Sequence, residues 1–202
     1  MVLTISTSNN LADLSDEALM LSYQTGTAAA FDELYARHKG GLYRYVLRQL
    51  NNHDALAQEI FQDVWMKLIN ARLSYQVSAK FSTWLYRIAH NRLVDHWRSD
   101  KKIKQQVDYD EINSMDEDVL DSQRESEPQN QFQQTQTRQK ILQAIDELPE
   151  EQRSAILLKE EGALSLAQIA EVTGVNRETV KSRLRYGIKR LQGILQPLRS
   201  VL

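Results

Sequence analysis

The chain has 202 residues, which suits one or two domains of ordinary size, and 42% of them are apolar, enough to build cores. Only seven glycines and three prolines interrupt a composition rich in Leu, Ala, Gln, Glu, Lys and Arg, so an all-α fold is predicted. The absence of cysteine excludes disulfides, cysteine-ligated metal sites and thiol catalysis, while the net charge of −2 is an average that excludes no class of partner.

The first half of the chain has helical periodicity over most of its length. Residues 1–15 are polar and predicted to be flexible, with neither the basic start nor the apolar run of a signal peptide. Apolar side chains then recur at spacings of three and four. The predicted helices begin at Asp16, run from Ala28 to about Leu50, begin again at Asp54, and run from about Ala79 to Lys102 after a polar loop at 74–78.

The last of these helices is basic. Residues 80–104 hold seven Lys or Arg against two Asp. Phe81, Leu85, Ile88 and Arg92 share one ridge, which we expect to be buried. A second ridge carries Arg87, Asn91, Arg98 and Lys102. The pattern predicts a helix that packs by one face and offers cations by the other.

An acidic segment follows. Residues 105–128 hold nine Asp or Glu against one Arg, and their apolar residues are too sparse for a core. This composition is typical of a flexible linker. We therefore predict a first domain over 16–104, a linker over 105–131 and a second helical domain over 132–202.

The second domain ends in a predicted helix-turn-helix. Ser165 and Gln168 have the spacing of a capping box, Gly174 suits the left-handed residue of a tight turn, and Asn176 is a good helix cap. The helix that follows carries six Lys or Arg against one Glu over residues 177–190, which suits a phosphate-lined major groove. Its predicted apolar stripe is Val180, Leu184, Ile188 and Leu191.

These motifs resemble bacterial RNA polymerase sigma factors of the sigma-70 family. The segment LPEEQRSAILLKEEGALSLAQIAEVTGVNRETVKSRLRYGIKRLQ, residues 148–192, is similar to sigma region 4. FDELYARH at 31–38, QEIFQDVW at 58–65 and FSTWLYRIAHNRLVDHWR at 81–98 are similar to sigma region 2. The linker leaves no room for a region 3 domain, which is the architecture of the small extracytoplasmic-function group. One position departs from the family pattern: Ala55 stands where an acidic residue is usual, with Asp54 beside it.

The resemblance implies a role for each part of the first domain. The helix from Asp54 would dock on the clamp helices of the polymerase β′ subunit, and the basic helix with its preceding loop would open and read the −10 promoter element. A tyrosine in that loop would stack on an unpaired base, and Trp84 would be a core or platform residue. The implied polymerase-binding residues are Asp54, Gln58, Glu59, Phe61, Asp63 and Trp65, and the implied −10 residues are Tyr75, Lys80, Ser82, Thr83, Trp84, Arg87, Asn91, Arg92, His96 and Arg98.

For the rest of the chain, the resemblance implies that the recognition helix reads the −35 element in duplex DNA and that the second domain meets the polymerase β flap. The acidic linker would thread the basic active-site cleft of the polymerase. An anti-sigma factor is a further expected partner. The implied −35 residues are Arg177, Glu178, Thr179, Lys181, Ser182, Arg183 and Arg185.

Two other function classes have weaker support in the sequence. A stand-alone helix-turn-helix regulator with an N-terminal sensor is the alternative, and it would bind duplex DNA without polymerase. An enzyme is disfavoured because the sequence lacks a nucleophile motif and a glycine-rich phosphate loop, and its four histidines lack metal-binding spacing. We expect no cofactor, metal or catalytic residue, no membrane insertion, and a cytoplasmic location.

Overall fold

The structure, a computed structural model, describes residues 11–107 and 139–199, with side chains over 11–100 and 139–196. Every regular element in these ranges is helical, which confirms the all-α fold. Short 3₁₀ turns lie at Leu11–Asp13 and Arg72–Ser74. The α-helices are α1 (Asp16–Gln24), α2 (Ala28–Gln49), α3 (Asp54–Ala71), α4 (Phe81–Val107), α5 (described over 139–146), α6 (Glu150–Glu160), α7 (Leu166–Thr173) and α8 (Arg177–Arg199).

Some predictions fall outside the described residues: the segment up to residue 10, the acidic linker and the start of the helix expected from residue 132. Within the described ranges the predicted helices are present. The basic helix α4 begins two residues later than predicted and continues to Val107, five residues beyond the predicted end at Lys102.

The first four helices enclose a core to which each contributes fully buried side chains. Helix α1 also fixes the start of α4, because the Glu17 carboxylate accepts a hydrogen bond from the Phe81 backbone N–H at 2.8 Å. That N–H has no partner within its own helix. The neighbouring Asp16 carboxylate binds His38 at 2.7 Å and Arg37 at 2.9 Å, and the hydrogen bond with His38 is the main reason that the pKa of Asp16 is lowered, against the opposing effect of its burial.

The helix-turn-helix follows the local signals in the sequence closely. The Ser165 and Gln168 side chains form both bonds of the capping box. Gly174 ends α7 at φ +67°, and the Asn176 side chain accepts a hydrogen bond from the Thr179 N–H at 2.7 Å at the start of α8. The capping box therefore fixes the start of α7, while Gly174 and the Asn176 cap form the turn between α7 and α8.

The buried stripe of α8 differs from the prediction at one position. Val180 and Leu184 are buried, but Ile188 is 46% exposed, so its assignment to the stripe is wrong. The preceding Gly187 is the buried position, and a Cβ there would lie 2.7 Å from Cδ1 of Ile156 on α6. The buried row of α8 runs through Gly187, so Ile188, the next residue around the helix, lies on the exposed side.

The two domains pack against each other. Helix α7 lies on α4 and α6 lies on α2, and the buried residues of both halves form one connected cluster. The sequence predicted two domains joined by a linker and gave no sign of this interface.

The turn of the helix-turn-helix yields a stability prediction. Gly174→Ala is expected to cost about 1–2 kcal/mol of unfolding free energy, because no atom lies within 4 Å of a Cβ there and only the left-handed backbone is strained. Urea unfolding followed by circular dichroism measures the change. Gly193→Ala is the matched control: it is also free of contacts but lies inside α8, where alanine should stabilise by about 0.5–1 kcal/mol. Equal effects of the two substitutions would contradict the role given to Gly174.

Candidate nucleic-acid interface

One face of α4 anchors it to the first domain. Phe81, Leu85, Ala89 and Leu93 have no exposed surface, so the buried ridge continues through Ala89 and Leu93 rather than through Ile88 and Arg92 as predicted. The long buried row explains how a helix with seven cations over residues 80–104 stays fixed in the domain.

Arg92 faces α3 instead of the core or open solvent. Its guanidinium lies 2.7 Å from the Asp63 carboxylate and 3.5 Å from that of Glu59. The structure thereby joins a predicted phosphate-binding residue to two predicted polymerase-binding residues. In this conformation Arg92 serves to hold α4 on α3.

The opposite face of α4, which carries several of the predicted −10 residues, meets the second domain. The Thr83 hydroxyl has no exposed surface and accepts a hydrogen bond from the Gln168 amide of α7 at 2.8 Å. The Arg87 guanidinium lies 3.3 Å from the Glu171 carboxylate of the same helix. Helix α7 therefore covers part of the surface predicted to bind DNA.

Farther along α4, the predicted residues are more open. Asn91 and Arg98 are exposed. Together with Arg87 they line a groove of about 460 Å³ whose other wall is the end of α7, from Glu171 to Gly174. His96 is half-buried and lies 3.4 Å from Asp100 on its own helix.

His90, between these positions, is a residue that the sequence did not single out. Its Nδ1 lies 3.3 Å from the Tyr45 hydroxyl of α2 and 3.5 Å from the Ser154 hydroxyl of α6. Burial, aided by the nearby charge of Arg183, lowers the pKa of His90 to about 4, so the ring is neutral at pH 7. It is a neutral polar contact at the junction of the two domains.

The loop before α4 buries its predicted stacking residue. Tyr75 is only 6% exposed and packs on Trp84 with 5.0 Å between ring centroids. Its hydroxyl is buried without a partner, and burial raises the pKa of Tyr75 to about 12. In this conformation no face of Tyr75 is available to a base. The apolar side chains that the loop exposes are instead Leu73, at 71%, and Val77, at 55%.

The other predicted residues of this loop border a wider groove. Lys80 is exposed and Ser82 is half-buried, and both line a groove of about 900 Å³ that also includes Asp16, Glu17 and Gln168. Trp84 is half-buried between Tyr75 and Phe81, which agrees with a core or platform position.

Helix α3 divides the predicted polymerase-binding residues between its surface and its core. Gln58 and Glu59 are exposed, whereas Trp65 is 5% exposed and packs at 4.9 Å from the Tyr35 ring. Phe61 is half-buried in the same aromatic cluster. Asp54 accepts hydrogen bonds from the Tyr43 hydroxyl and, at 2.6 Å, from Gln58. Met66 is 54% exposed on this helix, and its position on the surface was not predicted from the sequence.

Helix α8 presents the predicted basic row to solvent. Arg177, Lys181 and Arg185 are all exposed. Lys181 lies 3.5 Å from the Glu178 carboxylate, and the Arg185 guanidinium stacks over the Tyr186 ring at 4.8 Å from its centroid. The other predicted residues, Thr179, Ser182 and Arg183, are half-buried. Stacking on the Tyr186 ring holds the Arg185 guanidinium in one orientation. A fixed orientation favours a bidentate contact with guanine or phosphate.

Within the described ranges, no group of three or more His, Asp or Glu side chains is arranged to hold a metal ion. Nor does any helix there have both the length and the apolarity that crossing a bilayer requires.

Comparison with protein families gives two matches in order along the chain. Sigma-70 region 2 matches residues 34–103, and sigma-70 region 4 matches residues 138–191. The first match contains α3 and all but the last four residues of α4, and the second contains the helix-turn-helix. The predicted −10 and −35 residues thus fall in separate matched regions.

Similar proteins cover nearly the whole chain. The ECF RNA polymerase sigma-E factor of Escherichia coli (strain K12) is 29% identical over 186 residues, covering 92% of this chain and 96% of that protein. The protein of the same description from Haemophilus influenzae is 27% identical over 186 residues, covering 92% and 97%.

Two solved structures share the fold. One is CnrH in complex with the cytosolic domain of CnrY, with a TM-score of 0.63 and 19% identity, covering 90% of this chain and 97% of that one. The other is the sigma factor RpoE in complex with the anti-sigma factor NepR from Bartonella quintana, with a TM-score of 0.63 and 23% identity, covering 82% and 96%.

Proposed function

The chain belongs to the sigma-70 family as a member of its extracytoplasmic-function type, and on that premise we propose that it binds core RNA polymerase and directs promoter-specific initiation of transcription. The observation that carries this proposal is the pairing of two basic helices, α4 and α8, in the separate regions 2 and 4. Each helix is fixed by an apolar face and carries cations on another. Two such helices on one chain suit the reading of two promoter elements.

We propose that α4 opens and holds the −10 element. Its cations would neutralise the backbone of the separated strand, and Asn91 would bond to base edges. The exposed candidates are Lys80, Asn91 and Arg98, with Arg87 and Ser82 partly exposed beside them. Thr83 belongs to the same surface and needs α7 to move before DNA reaches it.

We propose that α8 reads the −35 element from the major groove. The exposed row of Arg177, Lys181 and Arg185 would meet phosphates and base edges, while Val180 and Leu184 hold the helix on its domain. Glu178, Thr179, Ser182 and Arg183 flank this row and would shape its local contacts.

We propose that the exposed polar face of α3, with Gln58 and Glu59 at its centre, docks on the β′ clamp of the polymerase, and that region 4 meets the β flap. Asp63 would keep Arg92 in place rather than contact polymerase itself. The buried Trp65 would support this face from within the core.

Three further features belong to this proposal. The relative from Bartonella quintana was solved with an anti-sigma factor, and an anti-sigma factor is a proposed partner here. The protein would act as an initiation factor rather than an enzyme. Since its partners are core polymerase and promoter DNA, it would work in the cytoplasm.

Arg185→Ala is expected to weaken −35 recognition by about tenfold, the value of one good contact to guanine or a phosphate. The effect is measured as the affinity of the reconstituted holoenzyme for a promoter fragment. Tyr186→Ala serves as the comparison, because it removes the stacking surface of Arg185 but not the charge and should have a smaller effect. Unchanged affinity in Arg185→Ala would remove this residue from the interface.

The function itself is tested by run-off transcription with purified core polymerase and a library of genomic promoters. Discrete transcripts that depend on this protein are expected. A stand-alone regulator would instead bind specific duplex DNA tightly without polymerase and would yield no transcript, and that result would overturn the proposal.

A further inference from the structure

The Gln24 side chain of α1 holds the middle of the loop that leads into α4, residues 72–80. Its amide donates to the carbonyl oxygen of Leu73 at 3.0 Å and to that of Tyr75 at 3.2 Å. A side-chain amide has two N–H donors, enough for one bond to each carbonyl. Gln24 therefore fixes the backbone of the loop rather than one of its side chains.

The two ends of the loop also contact α1. At its start the Arg72 guanidinium lies over the buried Tyr23 ring, 5.3 Å from the ring centroid. At its end the Glu17 carboxylate accepts a hydrogen bond from the Phe81 N–H at 2.8 Å. With Gln24 between them, three side chains of one nine-residue helix hold the loop along its whole length.

Helix α1 is itself firmly anchored in the first domain. Leu19 and Met20 have no exposed surface in the core. The Asp16 carboxylate binds Arg37 of α2 at 2.9 Å and His38 of the same helix at 2.7 Å. The loop is thus tied to α2 through α1, and its shape does not depend on contacts within the loop alone.

The contacts with α1 leave other groups of the loop open. Leu73 is 71% exposed and Val77 is 55% exposed. Val77, Ser78 and Lys80 line the groove of about 900 Å³ that continues to Ser82 on α4. Because Gln24 bonds to backbone carbonyls, these side chains remain free to meet a ligand.

We propose that α1 sets the base preference of this protein at the −10 element, with Gln24 and Glu17 as positioning residues for the 72–80 loop. This inference rests on the proposed function, because the loop leads directly into α4, which that function assigns to the separated −10 strand. Neither side chain has to touch DNA for this role.

The physical basis is the difference between a fixed and a mobile loop. A loop held in one shape fits one base and rejects others, whereas a mobile loop can adapt to each of them. The cations of α4 contribute affinity for any single strand, whatever its sequence. Loss of the bonds from α1 should therefore lower discrimination between bases more than it lowers total affinity.

The test removes the hydrogen bonds with little change in side-chain size. Gln24→Met has no donor, and Gln143→Met makes the same change at an exposed position of α5. Glu17→Leu removes the acceptor for Phe81, with Asp32→Leu on the exposed surface of α2 as the control for lost charge. Glu17→Gln is the rescue variant, because its amide oxygen can still accept the same N–H.

Two readouts are compared for each variant. Hydrogen exchange followed by mass spectrometry reports the order of the backbone over 72–81 in the free, full-length protein. Base preference is obtained by sequencing the strands that the reconstituted holoenzyme selects from a single-stranded DNA pool of random sequence, with core polymerase alone as the background. Circular dichroism verifies that each variant is folded.

We expect Gln24→Met and Glu17→Leu to speed exchange in the loop about fivefold and to lower the preference for the selected base by a similar factor. Total affinity for the pool should change by less than about twofold. Glu17→Gln and both control variants should keep the wild-type values. An equally ordered loop in Gln24→Met, or a loosened loop with unchanged base preference, would overturn the proposal.

Failure of the proposed function would give a different result. A wild-type holoenzyme that selects no sequence beyond the background and yields no transcript in the run-off assay would refute that function and this inference with it. Sequence selection by the wild type that is unchanged in Gln24→Met and Glu17→Leu would refute the role of α1 alone.

Discussion

Reversing two charges on the exposed row of α8, Lys181→Glu with Arg185→Glu, is expected to reduce promoter binding by the holoenzyme about 100-fold. Both side chains are exposed on one face of the proposed recognition helix. Each reversal removes a favourable contact of about 1–3 kcal/mol and places a carboxylate against phosphate. Neither residue supports the core, so the helix should keep its position.

The dependence on salt separates a DNA contact from a folding defect. Loss of two phosphate contacts should reduce the slope of log affinity against log salt by about two. The matched control is Lys140→Glu with Lys159→Glu, which makes the same change in net charge on exposed positions of α5 and α6. If both double variants weakened promoter binding equally, net charge rather than α8 would be the cause, and the −35 assignment would fail.

The parts of the fold that were predictable from sequence are those determined by neighbours along the chain. The capping box at Ser165 and the left-handed Gly174 depend on spacing over a few residues, and both are present as predicted. Asn176 also caps α8 as predicted. Such features need only local hydrogen bonds and backbone preferences, which the sequence displays directly.

Contacts across the fold were not predictable in the same way. Ile188 fits a helical apolar stripe as well as its neighbours do, yet the approach of Ile156 to Gly187 leaves it exposed. Arg92 has the spacing of a buried position and the charge of a DNA contact, and its actual partners lie on α3. Periodicity gives the faces of a helix but does not identify the element that covers each face.

The predicted site was affected most by the packing of one domain on the other. Thr83, Arg87, Asn91 and Arg98 lie on one side of α4, but the sequence gave no sign that Gln168 and Glu171 of α7 would cover part of it. Tyr75 was predicted as a stacking residue from its place in a loop, and its burial against Trp84 depends on tertiary contacts. A single sequence does not encode such pairings in any local pattern.

The buried histidine at the domain junction makes the packing of the two domains on each other sensitive to acid. The pKa of His90 is about 4 in this packed arrangement, mainly through burial and secondarily through Arg183. Tyr45, which faces it from α2, is itself buried with a raised pKa and stays neutral, and Ser154 from α6 carries no charge. On its own helix Arg87 pairs with Glu171. No carboxylate among these described neighbours compensates a proton on His90.

The sign of the effect follows from the direction of the shift. Separation of the two domains exposes the ring to water and returns its pKa toward the ordinary value of 6.5. The separated, open state therefore binds protons more readily than the packed, closed state. The contribution of His90 to closure is therefore complete above pH 6.5 and is lost as the pH falls from 6.5 toward 4. At pH 5 the closed-to-open ratio should be about thirtyfold lower than at pH 7.5.

The test is the distance between dyes attached at Met66→Cys and Gln192→Cys, two exposed sites in a chain without cysteine, measured at pH 7.5 and pH 5. Circular dichroism verifies that the helices persist at both pH values. His90→Gln keeps a polar side chain at the junction but cannot titrate, so its distance should change much less between the two pH values. His96→Gln, on the same helix and paired with Asp100, should open with acid as the wild type does. Equal pH dependence in the wild type and His90→Gln would show that His90 is not the group responsible. Acid opening that requires His90 would instead identify the α2–α4–α6 junction as the point at which a single proton separates the promoter-reading domains.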